Sequence, residues 1–110
     1  MKIGKKEWEQ INRTMRDLDI DKDSRQINTF KFTKEGEWHR KKKFDVCCQL
    51  YESNHPFLCE AYSNNKKRKF DIVDLIENEV IEIESVPVTE KATPEKRTTI
   101  FRDPQSERDC

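Results

Sequence analysis

The chain has no surplus of charge in either direction: 22 lysines and arginines offset 22 aspartates and glutamates. That balance excludes a generic polycation coating nucleic acid or an anionic membrane, and leaves any such binding to local patches. A long apolar run is also missing. The opening stretch MKIGKKEWEQ has no hydrophobic segment of the signal-peptide kind, and nothing approaches the roughly 20 residues that cross a bilayer. The expectation is a soluble, cytoplasmic protein with no membrane association. Zinc spacing is absent too. Cys47 and Cys48 are adjacent, Cys59 sits in an apolar run, Cys110 is last, and no CxxC pair or suitably spaced histidine accompanies them. Neither disulfides nor zinc are expected, and Cys47, Cys48 and Cys59 read as small core hydrophobes in a reducing compartment. Hydrophobic residues make up 33% of the 110 and charged ones 40%, enough for one domain with a modest core.

What is present organises simply. Trp8, Ile11, Met15 and Leu18 recur at helical spacing, which predicts an amphipathic helix from Lys5 to Leu18. Asp19, Asp21 and Asp23 imitate an EF-hand opening, but position six is Ser24 and position twelve is Phe30, so the calcium geometry fails and a solvated turn is expected. INTFKFT alternates as a short strand, Ile27 to Thr33. After Gly36 a second helix is expected over Glu37 to Ser53, with Phe44, Cys47, Cys48 and Tyr51 on its buried face and Leu50 beside it. Trp38 and His39 read as a packing and a surface residue. Pro56 stops the helix. PFLCEAY is a strand, SNNKKRK a basic turn, and FDIVDL, IENE and VIEIES form a β-hairpin. TTIF adds one more strand. The order predicts a single α+β domain: a small mixed sheet with one helix packed on a face, plus an N-terminal helix. Residues 1–36 form the N-terminal extension, 37–85 the core, and 86–110 a charged, partly flexible C-terminal segment.

The hairpin poses the functional question. A turn centred on Glu77 and Asn78 sets Asp71 opposite Glu84, Ile72 opposite Ile83, Val73 opposite Glu82 and Leu75 opposite Val80. Phe70, Ile72, Ile81 and Ile83 then share the core face. Asp71, Val73, Glu82 and Glu84 share the other, gathering three carboxylates within reach of one another. Such a cluster is either solvated and screened or neutralised by a hard cation, and Mg²⁺ favours a few carboxylate oxygens with waters.

The helix, strand, basic turn, RKFDIVDL and VIEIE, from Glu37 to Ser85, together resemble the core of the PD-(D/E)xK nuclease superfamily, which includes Holliday-junction resolvases and small archaeal and viral nucleases. The resemblance implies a restriction-endonuclease-like core and Mg²⁺ (or Mn²⁺) as cofactor. Asp71 would be the first ligand and Glu82 the second, with Ile83 lending its carbonyl. Glu84 stands where the family carries a lysine and would be a further ligand or the general base; Phe70 stands where a proline is common. A fourth acid has two candidates, Glu37 and Glu60. The implied activity is metal-assisted hydrolysis of DNA phosphodiester bonds, with Asp71, Glu82 and Glu84 catalytic and no organic cofactor. Lys66, Lys67, Arg68 and Lys69 would contact DNA phosphates; Arg40 to Lys43 read as a wet helix face. A domain this small offers little surface to a duplex, so a homodimer is expected. The competing reading is a non-catalytic binding module for DNA or a protein, with either the nuclease fold or an unrelated α+β fold.

Overall fold

The computed structural model describes the backbone of residues 2–84 and 98–102 and the side chains of residues 2–83. The side chain of Glu84, Cys110 and most of the C-terminal segment expected to be flexible lie outside the described residues. Helix α1 (Lys5–Asp17) leads through a short 3-10 turn (Lys22–Ser24) and an irregular stretch to α2 (Glu37–Glu52). Strands β1 (Phe57–Ser63), β2 (Arg68–Asp74) and β3 (Glu79–Glu84) form an antiparallel meander, and β4 (Thr98–Arg102) joins β3 in parallel. The sheet order is β1-β2-β3-β4. The fold is therefore a small α+β domain with a mixed sheet and a helix packed against it. No described helix is long and apolar enough to cross a membrane.

Both faces of the sheet are covered, which is why its strands read as nearly continuous apolar runs. On one side α2 packs Val46 and Cys47, with half-buried Trp38 and Leu50, against Phe57, Cys59, Ile72, Ile81 and Ile83. On the other, Ile11, Met15, Leu18 and Ile20 meet Leu58, Ala61, Phe70, Val73, Leu75 and Val80. Burying each such side chain contributes roughly 1.5–3 kcal/mol. In α1 the periodicity holds except at Trp8, which is exposed. Thr14 is buried instead, and its hydroxyl donates to the Leu75 carbonyl at 2.9 Å.

Three expectations are corrected. The stretch 27–33 is not a strand. Asn28 takes a left-handed backbone (φ 59°) and its side chain accepts from Phe57 N–H, while Lys31 N–H donates to the Cys59 thiol. Side chains thus replace the ladder that a strand would need. Second, the buried face of α2 runs through Lys43, Val46 and Cys47, leaving Phe44 and Tyr51 exposed and Cys48 half-buried. Lysine is counted as polar in any periodicity argument, so burying it turns the helix by about one position.

Third, the β2–β3 register differs by two residues. Ile72 pairs with Ile81, Val73 with Val80 and Asp74 with Glu79, so the loop is Leu75–Asn78. Asp74 sets the turn: its Oδ1 accepts from Ile76 N–H (3.0 Å) and Glu77 N–H (3.1 Å), an aspartate turn closing one residue earlier than expected. Its Oδ2 meets His55 Nδ1 at 2.9 Å. Asp74→Ala is expected to lower stability by roughly 2 kcal/mol, since it strips acceptors from two amides and a histidine; an unchanged urea midpoint would contradict this role.

Candidate metal and phosphate site

The sheet loses its alternation at one level. In β1, Phe57 and Cys59 face α2 and Leu58 faces α1, yet Ala61 also faces α1. In β2, Phe70 faces α1 while Ile72 faces α2. One residue is skipped on each strand, and the two are Glu60 and Asp71, which fall between the paired positions Cys59↔Ile72 and Ala61↔Phe70. Glu60 holds the left-handed conformation (φ 58°) that makes the kink, strained for a residue of its kind. The kink brings both carboxylates to the α2 side. The expected sharing of a face by Asp71 and Val73, and by Phe70 and Ile72, is overturned for this reason.

At the same level β2 and β3 cease to pair. Asp71 N–H donates to Glu82 Oε2 at 3.1 Å, and Ile83 N–H donates to Asp71 Oδ2 at 2.8 Å. Each carboxylate occupies the place of a backbone acceptor at the level where the strands part. The shifted register sets Asp71 against Glu82 rather than Glu84. Glu82 Oε1 is held by Arg68 in a short charge-assisted bond, and the Arg68 guanidinium lies over the Phe70 ring at 4.8 Å. Asp71 Oδ1 looks toward His39 Nε2 on α2 at 3.8 Å. Burial, with Glu82 and Glu60 adding repulsion, pushes the Asp71 carboxyl up to about 7 despite the Ile83 N–H and Lys43 acting the other way.

Beneath lies a chain of ions. Lys43, fully buried on α2, meets Glu35 Oε1 at 2.8 Å and Glu60 Oε2 at 3.1 Å. Glu60 Oε1 meets Lys69 Nζ at 3.2 Å. Burial alone would pull the Lys43 ammonium down, but its hydrogen bonds to Glu35 and Glu60 overcome this and hold it above the ordinary lysine value.

Of the residues expected at the site, Asp71, Glu82 and the Ile83 backbone come together, and Glu60 is the neighbouring acid. Glu37 is not: it is exposed on the first turn of α2, paired with Lys41. Arg68 and Lys69 fold back onto acids, while Lys66 and Lys67 are exposed in the β1–β2 turn. His39, Lys43 and Glu35 were not anticipated. His39 could have been noticed as one of only two histidines, placed on the inner side of α2 once Lys43 is taken as buried. Glu35 lies outside any regular element and carried no signal.

Among the described residues, no three His, Cys, Asp or Glu side chains stand ready-made to hold a metal ion. The donor chemistry still suits a hard cation: two hard-oxygen carboxylates, largely but not fully buried, with a proton affinity at Asp71 that a cation would relieve. A comparison with protein families, curated proteins and solved structures finds no match.

Proposed function

We propose that the protein is a divalent-metal-dependent nuclease acting on DNA, in which Asp71 and Glu82 hold Mg²⁺ or Mn²⁺. What supports this reading is that Asp71 and Glu82, half-buried and buried, each take the place of a backbone acceptor where β2 and β3 part, with Asp71 close to its proton balance at neutral pH. When bound, the cation polarises the scissile phosphate and lowers the pKa of its water. The chain's own residues do the rest. Glu82, which Arg68 now holds, would be a ligand of the ion, and the Arg68 guanidinium beside it would meet a phosphate oxygen. Lys69, held by Glu60 two residues before Asp71, supplies the positive charge that the family lysine would give and that Glu84 does not. Ile83 offers its carbonyl, and Glu84 is a further ligand or the base. Lys66 and Lys67 hold the backbone of the DNA.

The test is cleavage of plasmid and branched DNA by the purified chain with Mg²⁺ or Mn²⁺. Cleavage is expected, and Asp71→Ala abolishes it while duplex binding in EDTA persists. Absence of cleavage by the unaltered chain with either ion overturns the enzymatic reading. A non-catalytic DNA-binding module is favoured by one feature, the occupation of Glu82 by Arg68 and the Asp71 amide. It predicts DNA binding indifferent to divalent ions and to Glu82→Ala.

A further inference from the structure

A second surface lies next to this site. Phe30, Phe32 and Phe44 form an aromatic cluster, with Phe30 edge-on to Phe32 (centroids 5.0 Å) and to Phe44 (5.2 Å). Phe30 belongs to the core under α2, but Phe32 is 76% exposed and Phe44 50%. Core packing therefore explains the first ring and not the other two. Together with Arg40, Lys41 and Asp45 they line an open groove. The cations on its lip are lightly held: among the described residues Lys41 pairs with Glu37 at 3.6 Å in solvent, and the Arg40 side chain reaches the Glu35 carbonyl at 3.4 Å. Surface pairs of that kind contribute little and exchange readily for phosphate.

Beneath the groove, Phe30 borders the buried ions. The Phe30 ring lies 5.2 Å from Lys43 Nζ, which is 3.1 Å from Glu60 Oε2, and Glu60 neighbours Asp71 on the same side of the sheet. Exposed aromatic rings beside mobile cations are what single-stranded nucleic acid requires, since every base has a face to stack and every link a phosphate. A peptide would gain from the rings but has no use for the cations unless it were acidic.

We propose that Phe32 and Phe44, with Arg40 and Lys41, form a stacking platform for unpaired nucleobases, so that the ligand class of this groove is single-stranded DNA. This rests on the nuclease reading for its place in a reaction but not for its test. Fluorescence anisotropy of labelled oligo(dT), at low salt in EDTA, measures binding without cleavage. Phe32→Ala and Phe44→Ala are each expected to weaken oligo(dT) binding about tenfold. Lys41→Glu is expected to weaken it further at low salt than at high salt. Duplex affinity should change less than twofold in the phenylalanine variants, and Asp71→Asn should retain oligo(dT) binding even if the cleavage assay fails. Because Phe32 and Lys41 are exposed, their variants keep the fold. Failure of the unaltered chain to bind oligo(dT), or equal binding by the two phenylalanine variants, overturns the platform. So does a sedimenting dimer that Phe32→Ala dissociates, for then the cluster belongs to a second copy.

Discussion

Lys43→Met is expected to destabilise the domain by roughly 3–5 kcal/mol, measured as a fall in the urea midpoint at pH 7.5 followed by far-UV circular dichroism. The lysine is fully buried, and its ammonium is the shared partner of Glu35 and Glu60, themselves hardly exposed. Methionine keeps the volume and much of the packing, including the contact with the Phe30 ring. What is lost is the charge, and two carboxylates are left in a poorly solvated place. A small domain has only about 5–15 kcal/mol of stability in total, so this substitution alone brings it near unfolding. The cause is separable from packing. Adding Glu35→Gln and Glu60→Gln to Lys43→Met removes the stranded charges and is expected to recover a large part of the loss. A single substitution costing under 1 kcal/mol would show that water reaches these groups.

The second large effect is opposite in sign. Asp71→Asn is expected to stabilise the protein at pH 8 and to leave it unchanged at pH 4. The Asp71 carboxyl titrates near 3.8 when unfolded and is pushed to about 7 by burial and by Glu82 and Glu60. Between those values the folded state keeps a proton that the unfolded chain has released. Stability therefore falls as pH rises through this window, and the penalty is complete above about 7. At its upper limit it amounts to about 4 kcal/mol. The amide cannot ionise yet still accepts from Ile83 N–H. A gain of roughly 2 kcal/mol at pH 8, near 10 °C in Tm, is the expected reading. Millimolar Mn²⁺ should raise the Tm of the unaltered chain and not that of Asp71→Asn. Parallel pH curves for the two proteins would mean that Asp71 ionises without cost, and the buried-carboxylate argument would go with it.

Much of the domain could be read from residue order. Helical spacing in EWEQINRTMRDL, the basic turn before FDIVDL and the strand TTIF all describe elements that formed where local pattern put them. Errors arose where a side chain did the work of a backbone or hid behind its charge. Asp74 closes the hairpin through two amides, an effect of two residues in register that composition does not betray. Lys43 is buried because Glu35 and Glu60, far apart in sequence, converge on it. The kink at Glu60 is invisible to a two-residue alternation, yet it decides which face Asp71 joins. Asp71 and Glu82 stand out in the sequence because acids within apolar strands are costly unless something engages them. Here backbone amides, Arg68 and the neighbouring ions do so.

Among the described residues, the outer side of β1 has no strand against it, only the irregular chain after α1. Asp21 N–H donates to the Tyr62 carbonyl and Asn28 N–H to that of Phe57, while Tyr62 N–H finds the Ser24 hydroxyl and Phe57 N–H the Asn28 side chain. That chain is a fixed cover over an otherwise sticky sheet border. Stripped of it, residues 37–85 would present unsatisfied amides and carbonyls to any extended peptide, and fibrils or swapped assemblies would be the natural outcome. The leading third of the molecule is thus a guard against self-association as well as a support for the core.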